Sequence, residues 1–134
     1  MIRALALLLL LGFLVGCAPA DNNGPLRAVQ AFVAAIEARN VGAIIAGLEP
    51  SDWRAEIGPE LRAYLAYLDS ITIAQPNYRV LSNDGTVAVV QLTGTVRYVL
   101  AASGNSGERP VDLRLEVVRV GDKWYLRQLL LPDL

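Results

Sequence analysis

The spacing of the apolar residues changes close to residue 71, and this change limits the fold of the chain more than any other feature. Before it, apolar residues recur every three or four positions, as on the buried face of an amphipathic helix. After it, apolar and polar residues alternate, as in strands with one buried face. The sequence therefore predicts an α+β fold in which helices come first and an antiparallel sheet follows.

Three helices are predicted before this change. The first begins at Pro25, a residue that fits the first turn of a helix. Its apolar stripe consists of Leu26, Val29, Phe32, Val33 and Ile36. A short second helix covers residues 41–48 and is weakened by two glycines. After a turn that Ser51 or Asp52 can cap, the third helix begins at Gly58-Pro59. Its stripe consists of Leu61, Tyr64, Leu65 and Leu68.

The first two of four predicted strands are joined by a hairpin at Asn83-Asp84-Gly85. A two-residue turn would pair Asn83 with Thr86. A three-residue loop, with Gly85 in the left-handed region, would pair Ser82 with Thr86. The second register sets Val80 opposite Ala88 and Tyr78 opposite Val90. Because this register matches the apolar faces, we expect the three-residue loop. Gly94 interrupts the apolar face of the second strand, and we expect the sheet to bend there.

Two further strands complete the predicted sheet. Residues 101–110 are rich in Gly and Ser and are predicted as a loop, so the third strand begins at Val111. Gly121-Asp122 then forms a two-residue turn to the last strand. The resulting register pairs Val117 with Leu126, Leu113 with Leu130, and Glu116 with Arg127. Apolar pairs then share one face and an ion pair lies on the other, which favours this register.

An apolar run from Ala4 to Val15 precedes the helices and leads to the only cysteine, Cys17. The run suits a signal peptide and is shorter than the ~20 residues that a spanning helix needs. Leu14-Val15-Gly16-Cys17 resembles the lipobox of bacterial lipoproteins. The resemblance implies cleavage between Gly16 and Cys17 and a diacylglyceryl group on the Cys17 thiol. A buried helix with an inert cysteine, or an ordinary secreted protein, are the alternatives. A core helix should have a polar face, which this run lacks.

The lipobox resemblance divides the chain into a signal peptide at residues 1–16, a polar tether at residues 17–24 and one domain at residues 25–134. It implies a lipid anchor in the cell membrane, or in the outer membrane of a cell with two membranes. Ala18 stands where an Asp would retain a lipoprotein in the inner membrane. The domain would then lie outside the cytoplasm, and the short tether would keep it close to the bilayer.

The charges and the lack of histidine exclude several classes of function. The chain has 12 basic and 13 acidic side chains and no histidine. Because Arg3 leaves with the signal peptide, 11 basic side chains remain, and the mature net charge is about −2. The charges are interspersed in sign, which argues against a nucleic-acid surface. Without histidine, a second cysteine or clustered carboxylates, we expect no metal and no cofactor. The sequence leaves the oligomeric state open.

The order of the elements and the segment Gly121-Asp122-Lys123-Trp124-Tyr125-Leu126 resemble NTF2-like (cystatin-like α+β) proteins over about residues 25–131. The resemblance implies a curved four-stranded sheet that wraps the long helix into a cone with a pocket at its wide end. Enzymes of this superfamily, such as dehydratases and ketosteroid isomerases, carry an Asp or His inside the cone. The predicted register turns Asp112 and Glu116 outwards, so we predict no catalytic residue.

Three polar side chains are predicted to face into the cone and to line its pocket: Tyr78, Tyr98 and Gln128. Gln128 would lie opposite Leu115, and an amide bonded within the core is its other interpretation. Arg119 is predicted to stack on Trp124. We therefore expect first a non-catalytic, lipid-anchored envelope domain that acts through a protein partner or as an accessory subunit. A pocket for a small apolar molecule is the second hypothesis, and a cyclase- or isomerase-type enzyme is the least favoured.

Overall fold

The computed structural model describes residues 21–134. The predicted signal peptide, the cleavage site between Gly16 and Cys17, and residues 17–20 of the tether lie outside the described residues. Four helices precede four strands. The helices are α1 (Asn23–Glu37), α2 (Val41–Ala46), α3 (Trp53–Glu56) and α4 (Gly58–Ala66). The strands are β1 (Leu68–Asn83), β2 (Val87–Leu100), β3 (Ser106–Val120) and β4 (Lys123–Leu126). The strands form one antiparallel sheet in the order β1-β2-β3-β4, which confirms the α+β prediction.

Helix α1 lies across one face of the sheet and contacts all four strands. We call this the inner face. The helix begins at Asn23, two residues before Pro25, so Asn23 and Gly24 of the predicted tether are helical. Its predicted stripe is buried except for Leu26, which is half-buried. Burial of this stripe against the sheet is what holds the helices and strands together as one domain.

The shorter helices cover the rest of the inner face. The Asn40 side chain caps α2 by accepting a hydrogen bond from the Ala43 N–H at 3.0 Å. The predicted turn after Ser51 is the one-turn helix α3, and α4 begins at Gly58 as expected. The Arg54 guanidinium ties α3 to α2 by donating to the Ile45 carbonyl at 2.7 and 3.0 Å.

The hairpin between β1 and β2 has a register that differs from the predicted one by two residues. Val80 lies opposite Val90, and Tyr78 lies opposite Leu92. Two features produce this difference. The Asp84 carboxylate accepts the backbone N–H groups of Thr86 and Val87 at 2.8 and 2.7 Å and widens the loop, so that Ser82 lies opposite Val89, three residues beyond its predicted partner. An irregularity between Val80 and Ser82 then reduces the shift to two. The two hydrogen bonds to the Asp84 carboxylate also lower its pKa. A shift of two preserves the faces, so the apolar face was predicted correctly although its partners were not.

The sheet bends where Gly94 of β2 meets an irregular stretch of β1. The register shifts between Ala74 and Asn77, and Gln75 between them has φ +50°. A Cβ atom on Gly94 would lie 3.0 Å from the Ala74 carbonyl oxygen and 3.3 Å from Cγ2 of Ile73. The glycine therefore permits the close approach of two backbones, as predicted for a bend.

The loop between β2 and β3 is shorter than predicted. Strand β3 begins at Ser106, five residues before Val111, and pairs with β2 from that point. Pro110 is tolerated because β4 pairs only with the last four residues of β3, so this half of β3 is an edge. The Gly and Ser content suggested a loop, but the length of β2 offers a partner for every residue from Ser106 to Val118.

The β3–β4 hairpin has the predicted register as far as Leu126, which lies opposite Val117. The Arg127 guanidinium forms the predicted ion pair with Glu116 at 2.6 Å. The chain then leaves the sheet, so the predicted pairing of Leu113 with Leu130 is wrong. The free edge of β4 is instead paired by Leu48, after α2, in a parallel bridge.

Two side chains from the end of α1 each occupy one backbone group at the free edge of β1. The Glu37 carboxylate accepts the Ile73 N–H at 3.0 Å, and the Arg39 guanidinium donates to the Leu68 carbonyl at 2.9 Å. Arg39 itself has φ +52°, the left-handed conformation that ends the helix. One helix terminus thus satisfies strand groups that would otherwise be open for pairing.

We expect Gly94→Ala to lower the free energy of unfolding by about 1–3 kcal/mol, because the new methyl group has to displace strand backbone. Gly42→Ala on α2 is the matched control. Its methyl group meets no atom closer than 3.6 Å, and the change should stabilise the helix by about 0.5–1 kcal/mol. Urea unfolding of the purified variants measures both values. Equal stability of the two variants would contradict the close approach at Gly94.

Candidate functional site

The space between the helices and the inner face is filled with aliphatic and aromatic side chains. Within residues 21–134, no polar or charged side chain is buried. No buried side-chain nitrogen or oxygen in this part of the chain lacks a hydrogen-bond partner. The largest fully buried side chains come from both layers: Ile36, Ile44, Leu48, Leu61, Leu68, Ile71, Leu92, Leu115 and Leu126. An interior of this kind packs well and offers no group for acid–base chemistry.

The predicted pocket residues are not brought together. Gln128 is exposed and lies outside β4, so the prediction that it faces inwards opposite Leu115 is wrong. Tyr78 and Tyr98 are half-buried against the core. Tyr78 pairs with Leu92, which lies six residues before Tyr98 on β2. That separation corresponds to roughly 20 Å along an extended strand. The Tyr98 ring covers Gly107 of β3, where a Cβ atom would collide with it, and therefore fills space.

Carboxylates lie at the margins of the sheet. Asp112 and Glu116 pair with Thr93 and Val89 on the outer face, as predicted. Glu37 accepts the Ile73 N–H and also lies near Tyr78, whose pKa is raised by burial and by this carboxylate. A raised pKa keeps the phenol protonated at neutral pH. Glu37 is exposed on the helix end, so the pair lies at the rim and outside the filled interior.

The C-terminal segment, residues 127–134, closes one side of the interior. Pro132 is buried, and four leucines pack against the core: Leu129, Leu130, Leu131 and Leu134. The Tyr64 hydroxyl of α4 donates a hydrogen bond to the Pro132 carbonyl at 2.8 Å. In the described chain, residues 128–134 take part in no backbone–backbone hydrogen bond. The segment is therefore held by apolar packing and by one side-chain bond.

A groove lies on another side of the domain, and we call it the hairpin groove. Its volume is about 410 Å³. One wall is the first half of α1, from Gly24 to Phe32; the others are the end of α2 and the β3–β4 hairpin at residues 122–125. Four alanines and two glycines make these walls smooth.

The lining of the hairpin groove contains the aromatic side chain of Trp124 and two cationic side chains. The indole lies so close to Gly24 that a Cβ atom there would collide with it. Arg27 and Lys123 also line the groove, and neither forms an ion pair within residues 21–134. Asp122 is the one acidic side chain in the lining. Arg119 lies opposite Trp124 as predicted, but its Nε donates to the Gly121 carbonyl at 3.0 Å.

Sequence reasoning did not find the hairpin groove, because its parts lie about a hundred residues apart. The only sequence feature that could have indicated the groove is the presence of small residues on one side of α1. Ala28 and Ala31 lie next to the buried stripe, where a shallow surface leaves room between a helix and its neighbours.

Residues 21–134 contain no cluster of three or more Asp, Glu, His or Cys side chains that could hold a metal ion. In the same part of the chain, no helix combines the length and the apolar character that crossing a bilayer requires.

The fold is that of NTF2-like proteins. The chain resembles a candidate aromatic ring hydroxylase from Novosphingobium aromaticivorans with a TM-score of 0.69 and 15% identity, over 79% of this chain and 83% of the other. It resembles a candidate dehydratase of the NTF2-like family from Streptomyces avermitilis with a TM-score of 0.65 and 17% identity, over 77% and 88%.

A third similar structure is named as a calcium/calmodulin-dependent protein kinase type II association domain, from Thiobacillus denitrificans. Its TM-score is 0.53 at 17% identity, over 76% of this chain and 88% of the other. The sequence matches no protein-family model and no curated protein. Identities this low show the fold alone.

The contact of Tyr64 with the C-terminal segment predicts a loss of stability at high pH. Burial, and to a smaller extent Asp133, raises the pKa of Tyr64 from 10.0 to about 12. Because the folded state favours the neutral phenol, its contribution is complete below pH 10 and is lost as the pH rises towards 12. Tyr64→Phe removes the hydrogen bond and should lower the free energy of unfolding by about 0.5–1.5 kcal/mol at neutral pH. The free energy of unfolding of this variant should also decrease less at alkaline pH.

Tyr67→Phe is the matched control, because this tyrosine directly follows α4 and is 73% exposed. Urea unfolding on either side of pH 10 checks the prediction. An alkaline decrease that is the same in Tyr64→Phe and in the unsubstituted protein would show that another group causes it.

Proposed function

We propose that the chain is a lipid-anchored domain of the cell envelope that acts through contacts with other proteins and has no catalytic activity. The observation that carries this proposal is the filled, apolar interior, in which no described polar side chain is buried. An NTF2-like enzyme needs a carboxylate or imidazole inside the cone, and the carboxylates of β3 lie on the outer face.

The lipid anchor is supported by the sequence at residues 14–17 and by the way the chain enters the domain. Helix α1 begins six residues after Cys17. A diacylglyceryl group on Cys17 would therefore hold the domain directly at the membrane surface. Two acyl chains anchor a protein far more firmly than one, since each buried methylene contributes about 0.8 kcal/mol.

The absence of catalysis is supported by the chemistry of the residues and is compatible with the comparisons. Several similar structures carry names of enzymes, but at identities of 8–17% they share the fold only. One is named as a candidate association domain. The pocket hypothesis loses support because Tyr78, Tyr98 and Gln128 are separated.

A contact surface for a partner is supported at the end of the domain farthest from the anchor. Tyr67, at the end of α4, is 73% exposed, the most exposed large apolar side chain that the structure describes. Its carbonyl accepts the Ala101 N–H at 2.8 Å, which places it beside the β2–β3 loop. Exposed tyrosines are frequent in protein interfaces because they combine apolar area with a hydroxyl.

Cys17→Ser should abolish lipid attachment and leave the domain folded, because Cys17 lies outside the described core. The measurement is metabolic labelling of growing cells with an alkyne fatty acid, followed by membrane fractionation. Ala20→Ser is the matched control, since it adds a hydroxyl near the cleavage site and keeps the thiol. Absence of label on the unsubstituted protein, with identical fractionation of Cys17→Ser, would contradict the anchor.

The protein-contact role predicts a defined partner that depends on Tyr67. Cross-linking in intact cells and purification of the solubilised protein should recover one partner in a fixed ratio. Tyr67→Ser should reduce its recovery, whereas Val120→Ser, at the opposite end and 44% exposed, should not. Recovery of the chain alone at native abundance would count against the role.

A further inference from the structure

The hairpin groove is lined by the start of α1 and by the β3–β4 hairpin. Both lie at the end of the domain where the chain arrives from Cys17, which we call the anchor-side end. Three segments meet there: the start of α1, the β1–β2 hairpin and the β3–β4 hairpin. The Asn83 side chain donates to the Asp21 carbonyl at 3.1 Å, and the Arg119 N–H donates to the Thr86 carbonyl at 2.7 Å. These bonds join the three segments into one rigid end.

The length of chain between Cys17 and α1 restricts how far this end can lie from a membrane. Asn23 is the sixth residue after Cys17, and an extended chain with six steps between these residues reaches roughly 20 Å. The Asn83–Asp21 bond fixes the last part of this segment to the domain. If Cys17 carries the lipid, the anchor-side end is the part of the domain that faces the bilayer.

The lining of the hairpin groove is suited to the headgroup region of a membrane. Trp124 provides an amphipathic ring, a residue type that is enriched at membrane interfaces. Arg27 and Lys123 provide two positive charges with long aliphatic stems, and Asp122 reduces the sum of the groove's charges to +1. The positive end of helix α1 is offset by the Asp21 carboxylate, which accepts the Asn23 N–H at 2.9 Å, so the attraction for an anion comes from the two cationic side chains.

We infer that the hairpin groove is a membrane-contact site that takes the headgroup of an anionic phospholipid. The phosphate lies between Arg27 and Lys123, and the glycerol region lies against Trp124 and the alanines of α1. This inference rests on the lipid anchor proposed above. Its consequence is orientation: the anchor holds the domain at the membrane, and the groove determines which side is turned towards it.

The two tryptophans of the chain provide the reporter and its control. Trp53→Phe leaves Trp124 in the groove as the only tryptophan, and Trp124→Phe leaves Trp53 on α3, which does not line the groove. The lipidated protein is reconstituted into phosphatidylcholine vesicles, with or without phosphatidylglycerol, that contain brominated phosphatidylcholine as a quencher. Flotation of the vesicles measures attachment separately from quenching.

We expect Trp124 to be quenched more strongly than Trp53, and more strongly with phosphatidylglycerol than without it. Removing both cations, with Arg27→Gln and Lys123→Gln, should lower the ratio of docked to undocked domain by about five-fold for each charge. Arg109→Gln with Arg114→Gln is the matched control. It removes the same net charge from exposed positions outside the groove and should leave the quenching unchanged.

Each outcome decides between the anchor and the groove. Protein that floats while Trp124 and Trp53 are quenched equally overturns the groove and leaves the anchor standing. The headgroup site is overturned if quenching of Trp124 is the same with and without phosphatidylglycerol, or if it is unchanged when both cations are removed. Protein that does not float overturns the anchor, and with it the inference that depends on it.

Discussion

The packing of one face of α1 against all four strands is the interaction on which the rest of the structure depends. Val29, Phe32 and Ile36 meet the alternating apolar side chains of β2 and β3, and α2 and α4 cover what α1 leaves exposed. Each Å² of apolar surface removed from water contributes about 25 cal/mol. The same packing fills the interior with apolar side chains, and within residues 21–134 no polar or charged side chain is buried.

Sequence patterns predicted those parts of the fold that local chemistry determines. The Gly121-Asp122 turn and the Glu116–Arg127 pair sufficed for the last hairpin, because a two-residue turn leaves only one register. The first hairpin was shifted by two residues because the Asp84 side chain widens the loop and an irregularity between Val80 and Ser82 takes one residue back, and neither follows from the apolar pattern. The start of β3 was missed because pairing with a long neighbouring strand overrides the loop-forming composition of residues 101–110.

The candidate site was less predictable than the fold. Gln128 was predicted to lie opposite Leu115 by extending the register of the Gly121-Asp122 hairpin, but a register does not indicate where a strand ends, and β4 ends at Leu126. The hairpin groove depends on how closely α1 approaches β4. That approach depends on the contact between Gly24 and the Trp124 ring, two residues far apart in the sequence. Distances of this kind arise from tertiary packing, and a single sequence does not contain them in readable form.

The capping of β1 by Glu37 and Arg39 has a consequence for a protein confined to a surface. Chains anchored in a membrane diffuse in two dimensions and meet far more often than the same number of chains in solution. An open strand edge would then act as a template on which neighbouring copies assemble into continuous sheet. The end of the domain's own main helix occupies the Leu68 carbonyl and the Ile73 N–H of β1, so a strand from a neighbouring copy cannot pair with these two groups.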